Sequence, residues 1–142
     1  MAVFLTQEWL DVYRTLGAEL PERQGATARI QYVVTSTPHG DDVAYHVVFV
    51  DGRIDAAALG TLDEPDAVLT LVHTDAVGVQ RGDLDPNVLF SAGTIAFDGD
   101  MRSLMSLLPI LWPSPRRRLG SARRYLALQE ELRARTEYPD HP

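Results

Sequence analysis

Few residues in this chain have the types and spacing that bond-making chemistry needs. The four histidines, His39, His46, His73 and His141, fall at no spacing that brings two ligands to one metal, and cysteine is absent. Thiolate metal centres and disulfide staples are therefore excluded, and no metal or cofactor is expected. Asp83-Leu84-Asp85-Pro86-Asn87 imitates the start of a calcium loop. Its sixth position is Val88, where glycine is needed, and its twelfth is Thr94, where a bidentate glutamate is needed. His46 and Asp55 become diagonal neighbours if their strands form a hairpin. They then share a face expected to meet water, which favours a solvated pair over a catalytic dyad. Neither a phosphate-cradling glycine loop nor a Gly-x-Ser-x-Gly elbow occurs. Arg116, Arg117 and Arg118, followed by Arg123 and Arg124, could hold a phosphate, a carboxylate or an anionic membrane surface. No interleaved aromatic residues accompany them, so a solvated tail balancing an acidic body is the simpler reading.

The elements that must position these groups belong to an ordinary globular chain. Its 142 residues suit one domain, with 45% hydrophobic and 23% charged residues. All thirteen basic residues are arginine. Residues 1–112 hold six arginines and sixteen acids, a net of −10, whereas residues 113–142 hold seven arginines and four acids, a net of +3. An acidic body argues against nucleic acid as a partner, because that binding depends on neutralising phosphates. The opening MAVFLTQEW lacks the basic start and apolar core of a signal peptide. No apolar run approaches the roughly 20 residues that span a bilayer. A cytoplasmic protein with at most transient membrane contact is expected.

Thr6 can cap a helix running to about Leu20, with Trp9, Val12, Tyr13, Leu16 and Leu20 at helical spacing. Residues 27–37 alternate, with Ile30, Tyr32 and Val34 on one face and Arg29, Gln31 and Thr35 on the other. A second strand, Val43 to Val50, meets Asp51-Gly52, which fits a type I′ hairpin turn. The two-residue loop pairs Phe49 with Ile54 and Val48 with Asp55, so Tyr45, Val47, Phe49, Ile54, Ala56 and Ala58 share an inward face. Residues 66–72 read as a fourth strand and 94–97 as a fifth. Thr74 and Asp85 can cap two short helices ended by Gly82 and Gly93, and Asp98-Gly99 reads as a turn. Asp100 can cap a last core helix carrying Met101, Leu104, Met105, Leu107, Leu108 and Leu111, in which Pro109 should make a kink or an end. Ser121 can cap a final helix with a stripe of Tyr125, Leu128 and Leu132, and the outward Val48 and Val50 offer it a landing place. Tyr138 to Pro142 should be disordered. The division expected is a core at 1–112 and an arginine-rich linker with a C-terminal helix at 113–142.

The fold class expected is α+β: a five-stranded, mostly antiparallel sheet with helices on one face and a C-terminal helical extension. The helix at 101–112 carries more apolar surface than one sheet contact requires, which implies a cavity. Two phrases then carry a family resemblance. Arg81-Gly82-Asp83-Leu84-Asp85-Pro86 and Phe90-Ser91-Ala92-Gly93-Thr94-Ile95-Ala96-Phe97-Asp98-Gly99-Asp100 resemble junctions of the sterol carrier protein type-two (non-specific lipid transfer) domain. Gly52-Arg53-Ile54 and Asp66-Ala67-Val68-Leu69-Thr70-Leu71 fit the same pattern, which Thr94 departs from where the family often has lysine. The ending Asp140-His141-Pro142 carries no peroxisomal address, so the chain resembles a bacterial stand-alone member.

The resemblance implies an apolar tunnel holding a fatty acyl chain, acyl-CoA or sterol. Its wall is expected from Tyr32, Tyr45, Val47, Phe49 and Ile54 on the sheet, and from Phe90, Met101, Leu104, Met105, Leu108, Leu111 and Trp112 on the helices. Arg102, Arg116, Arg117 and Arg118 are candidates for a polar mouth. Two other readings remain open: a small enzyme acting on a hydrophobic substrate in the same pocket, and an interaction module with a filled core, including a homodimer.

Overall fold

The computed structural model of the protein describes residues 1–114 and 120–139. A short strand β1 (Ala2–Val3) leads into α1 (Gln7–Gly17), where the Thr6 hydroxyl accepts from the Trp9 amide and sets the first turn. β2 (Ala28–Thr35), β3 (Val43–Val50) and β4 (Arg53–Leu59) follow as an antiparallel meander. Asp51 and Gly52 both take positive φ, 47° and 84°, as a type I′ turn requires. β5 (Ala67–Val72) runs directly into α2 (His73–Arg81), which Gly82 ends in the left-handed conformation. Val72 rather than Thr74 stands at the N-cap of α2, and no side chain caps it. α3 (Pro86–Ser91) is capped by Asp85 and β6 (Ala96–Gly99) follows, so the last core strand begins two residues later than expected. Asp98 and Gly99 thus lie within a strand, not in a turn.

α4 (Met101–Leu111) is capped by Asp100, and Pro109 is accommodated in its last turn instead of ending it. α5 (Ser121–Ala134) starts from Gly120 with no side-chain cap, and β7 (Thr136–Glu137) closes the chain by pairing in parallel with β1. Ala2 N–H donates to Arg135 O at 2.8 Å and Phe4 N–H to Glu137 O at 3.0 Å. Tyr138, expected to be disordered, packs its ring 5.5 Å from Phe4.

The main sheet has the order β4-β3-β2-β5-β6. β5 lies parallel to β2 while the other pairs are antiparallel. That arrangement forces the chain after β4 to cross back over β3 and β2. The crossing loop passes on the outer face, and Gln31 holds it. The Gln31 amide donates to Gly60 O and Tyr45 O and accepts from Leu62 N, so this outward residue is only 3% exposed. His46, paired with Gln31 across the strands, donates from Nδ1 to Gly60 O at 3.0 Å.

The expected His46–Asp55 neighbourhood is altered by a register shift between Val48 and Phe49. Val48 pairs with Ala56, and Asp55 is the extra residue of a bulge. The bulge also turns Ala57, rather than Ala56 or Ala58, into the buried face. On the inner face, Ile30, Tyr32, Val34, Val47, Phe49, Ile54 and Leu69 form one core with α1, α4 and α5. Gly17 sits directly against Ile54, where a side chain on α1 would collide. Gly99 is equally constrained: its φ is 128° and an added Cβ would press on the Asp66 carbonyl oxygen. α5 packs in the helical layer against α1, α4 and α2 rather than on the outer sheet face, where Val50 remains exposed.

Candidate functional site

The inner sheet face and the helices do not close completely. Between them lies a cavity of about 80 Å³, bordered by β2, β3 and β5 below, α1 and α2 at its sides, and the ends of α4 and α5 above. It opens towards a larger cleft of about 410 Å³ between α2, the 82–86 turn, α4 and α5. Val79, Pro86, Leu111, Trp112 and Gln129 border both spaces.

An aromatic group forms one wall. Tyr32 and Tyr45 are directly paired across β2 and β3, so their side chains leave the sheet on the same face and stack at 4.6 Å and 7°. Trp9, placed by α1, meets Tyr45 edge-on at 5.7 Å and Phe4 edge-on at 4.9 Å. Tyr13, one turn after Trp9, is hydrogen-bonded to Gln129 of α5. Burial pushes the Tyr13 phenol up to about 12 and raises Tyr32 and Tyr45 well beyond the ordinary tyrosine value, with the neighbouring tyrosines adding to the effect. All three hydroxyls stay neutral and protonated at any physiological pH.

Among the described residues, no side chain bordering the cavity carries a charge. The Trp9 indole N–H and the Gln80 amide nitrogen, both on lining residues, are buried without a hydrogen-bond partner among the described residues. The cleft is different: its described lining holds Asp83, Asp85 and Glu130 against Arg133. The Arg133 guanidinium donates to Gln80 O at 2.9 Å, which ties α5 to the end of α2.

The residues expected in the wall divide into groups. Tyr32, Tyr45, Leu111 and Trp112 border the cavity. Val47, Phe49, Ile54 and Leu104 are fully buried in the core and border neither space. Phe90 and Leu108 are partly buried against that core, Phe90 lying 5.5 Å from Trp112. Met101 and Met105 turn to solvent, at 43% and 48% exposed, because α4 buries Leu104, Leu107, Ile110 and Leu111 instead. Arg102 stands in the first turn of α4, ten residues and so about 15 Å of helix from Trp112, and borders neither space. Arg116, Arg117 and Arg118 lie outside the described residues, as does His141.

Several lining residues were not anticipated: Trp9 and Tyr13 from α1, Ala76 and Gln80 from α2, and Gln129 and Leu132 from α5. The stripe of α1 was visible as helical periodicity, but periodicity does not distinguish a packed face from a cavity wall. Among the described residues no cluster of His, Asp and Glu could hold a metal ion, and no helix is long and apolar enough to cross a membrane.

A five-stranded sheet with helices over one face and an uncharged, largely apolar cavity between them make this a two-layer α+β domain. The SCP-2 sterol transfer family model matches residues 13–111, and the chain belongs to that family. No curated protein matches it. The fold is similar to a crystal structure of sterol carrier protein 2, at 17% identity and a TM-score of 0.65, over 92% of this chain and 97% of the other. The palmitated SCP2L2 of Aedes aegypti is similar at 18% identity and a TM-score of 0.55, over 76% of this chain and 94% of that one. A conserved protein of Thermus thermophilus matches at 15% identity and a TM-score of 0.55, over 97% of this chain and 90% of that one.

Proposed function

We propose that this protein binds a hydrophobic molecule, such as an acyl chain or a sterol, between its sheet and helices, and passes it on. The observation that carries the reading is the uncharged cavity between the inner sheet face and α1, α2, α4 and α5, in a chain of the sterol transfer family. The palmitated state of the similar Aedes protein supports an acyl ligand.

Magnitude constrains the mechanism. A space of about 80 Å³ is smaller than the ~150 Å³ apolar cavity that admits benzene, so a long chain needs more room than this space alone offers. The adjoining cleft supplies that room, and α5 is the element whose displacement joins the two. Each methylene taken from water contributes about 0.8 kcal/mol, so affinity arises from desolvation and selectivity from shape and the few polar groups. In the loaded protein Tyr32, Tyr45, Leu111 and Trp112 touch the ligand, while Val47, Phe49, Ile54 and Leu104 form the floor that keeps them in place. Phe90 and Leu108 back the mouth.

Native mass spectrometry of protein purified without denaturation tests the reading, with the mass retained and then released into organic solvent. A lipid adduct is expected. A protein that carries no adduct and takes up neither acyl chains nor sterols refutes it.

A further inference from the structure

The cleft outside the cavity is bordered by a cation most of whose donors are unused. Arg133 is half-buried and donates from Nε to the Gln80 carbonyl at 2.9 Å. Its guanidinium lies against Gly82, which also borders the cleft. Gly82 has φ 85° and no side chain, and a Cβ added there would stand 3.0 Å from Arg133 Cζ. The Gln80 carbonyl and the bare Gly82 backbone together fix where the fork stands. Among the described residues its two terminal amino groups meet no hydrogen-bond acceptor, yet they are not sealed from solvent. A guanidinium with Nε occupied still offers two parallel end-on N–H donors, the geometry that takes both oxygens of a carboxylate.

The carboxylates of the cleft are engaged elsewhere. Asp83 pairs with Arg81 at 3.6 Å, Asp85 accepts from the amide and side chain of Asn87 at the start of α3, and Glu130 has an interaction of its own. All three residues are exposed, so water and salt screen their repulsion of an incoming anion. The cavity is the wrong place for a charge, because no described charged group borders it and burial without a partner disfavours ionisation. Along α5, Leu126, Gln129 and Arg133 recur at helical spacing on the cleft side. Gln129 also borders the cavity, which puts Arg133 about one helical turn beyond the place where the two spaces meet.

We propose that Arg133 holds the ionised carboxylate of a fatty acid in the outer cleft, with the acyl chain running inward past Leu111 and Trp112 towards Tyr32 and Tyr45. The assignment rests on the lipid-binding reading above and names its ligand as a free fatty acid. Arg133 belongs to α5, beyond residue 111 where the family match ends, so the anchor is a property of this chain's C-terminal part.

The test uses the full chain and a neutral fluorescent acyl probe, displaced by dodecanoate, dodecan-1-ol or dodecanoyl-CoA at neutral pH. Dodecanoate is expected to compete about ten- to a hundredfold better than dodecanol, the range of charge-assisted hydrogen bonds, and to lose part of that lead as salt rises. Arg133→Gln should remove most of the lead by weakening dodecanoate, while dodecanol and dodecanoyl-CoA, which have no carboxylate at the chain end, bind as before. In the unaltered protein the carboxyl carbon resonance of bound ¹³C-labelled dodecanoate should stay that of the ionised form from about pH 8 down to about 5, because a guanidinium favours the charged state. Equal competition by dodecanoate and dodecanol, a lead unmoved in Arg133→Gln, or an equal loss for all three ligands in that variant overturns the inference and leaves lipid binding standing. A variant that weakens dodecanoyl-CoA most overturns the carboxylate assignment too. So does a bound carboxyl that protonates within that pH range, the sign of a head group carried into the uncharged cavity. Failure of every competitor and of the probe itself removes the lipid-binding reading as well.

Discussion

Ala76 lies on α2, is 7% exposed and borders the cavity. Replacing it with leucine adds three carbons pointing at that space. A void costs about 24 cal/mol per Å³ in a protein interior, so a space of about 80 Å³ represents at most about 2 kcal/mol. If the leucine fills it without strain, Ala76→Leu stabilises the ligand-free protein by up to that amount, which corresponds to roughly 4–8 °C in Tm. Binding should move the other way. Excluding about three methylenes of ligand forfeits about 2.4 kcal/mol, or roughly 50-fold in affinity. Thermal unfolding of delipidated protein and displacement of a fluorescent acyl probe read the two effects separately. Opposite signs are the signature, because a variant that merely damages the fold loses both. Unchanged affinity in a variant that melts higher would show that the ligand does not use this cavity.

Gly99→Ala should cost about 2–3 kcal/mol in urea denaturation, because φ is 128° and the new methyl presses on the Asp66 carbonyl; a change below about 0.5 kcal/mol refutes that contact. Gln31→Leu should cost a similar amount, since the Leu62 N–H loses its acceptor and the Tyr45 and Gly60 carbonyls each lose a donor, Gly60 keeping only His46, and amide exchange across 60–66 should quicken. Burial raises the phenols of Tyr13, Tyr32 and Tyr45 above the unfolded value of about 10, so their contribution is complete below pH 10 and is lost progressively above it, for Tyr13 as pH climbs through about 12. Each ionising phenol removes about 1.4 kcal/mol per pH unit in that window. Unfolding should therefore coincide with tyrosinate absorbance, and tyrosines titrating near pH 10 in protein that stays folded would contradict the burial.

Signals confined to a few residues were legible in the sequence. Thr6, Asp85 and Asp100 cap their helices, and Asp51-Gly52 turns the hairpin, because a cap or a tight turn needs only its own backbone and one side chain. The alternation of Ile30, Tyr32 and Val34 likewise placed the inner face of β2, and with it Tyr32 of the cavity wall. The two phrases around Pro86 and Gly93 identified the family, and the family model covers both.

What sequence alone could not decide depended on partners far along the chain. The apolar stripe of α4 was too broad to say which third of the helix would turn inward. Packing chose Leu104, Leu107 and Leu111 and left Met101 and Met105 outside. A single extra residue at Asp55 moved the later half of β4 by one position, which no period-two pattern of alanines could reveal. Gln31 looked like a surface residue until the parallel pairing of β5 with β2 drew the 60–66 loop across it. The destination of α5 was undetermined for the same reason: a stripe of Tyr125, Leu128 and Leu132 fits any apolar surface. Only the assembled helical layer, with its gap above Tyr32 and Tyr45, set Gln129 and Leu132 over the cavity. Burial is a property of the whole packed chain, and so a cavity, the place where packing stops short, is decided last.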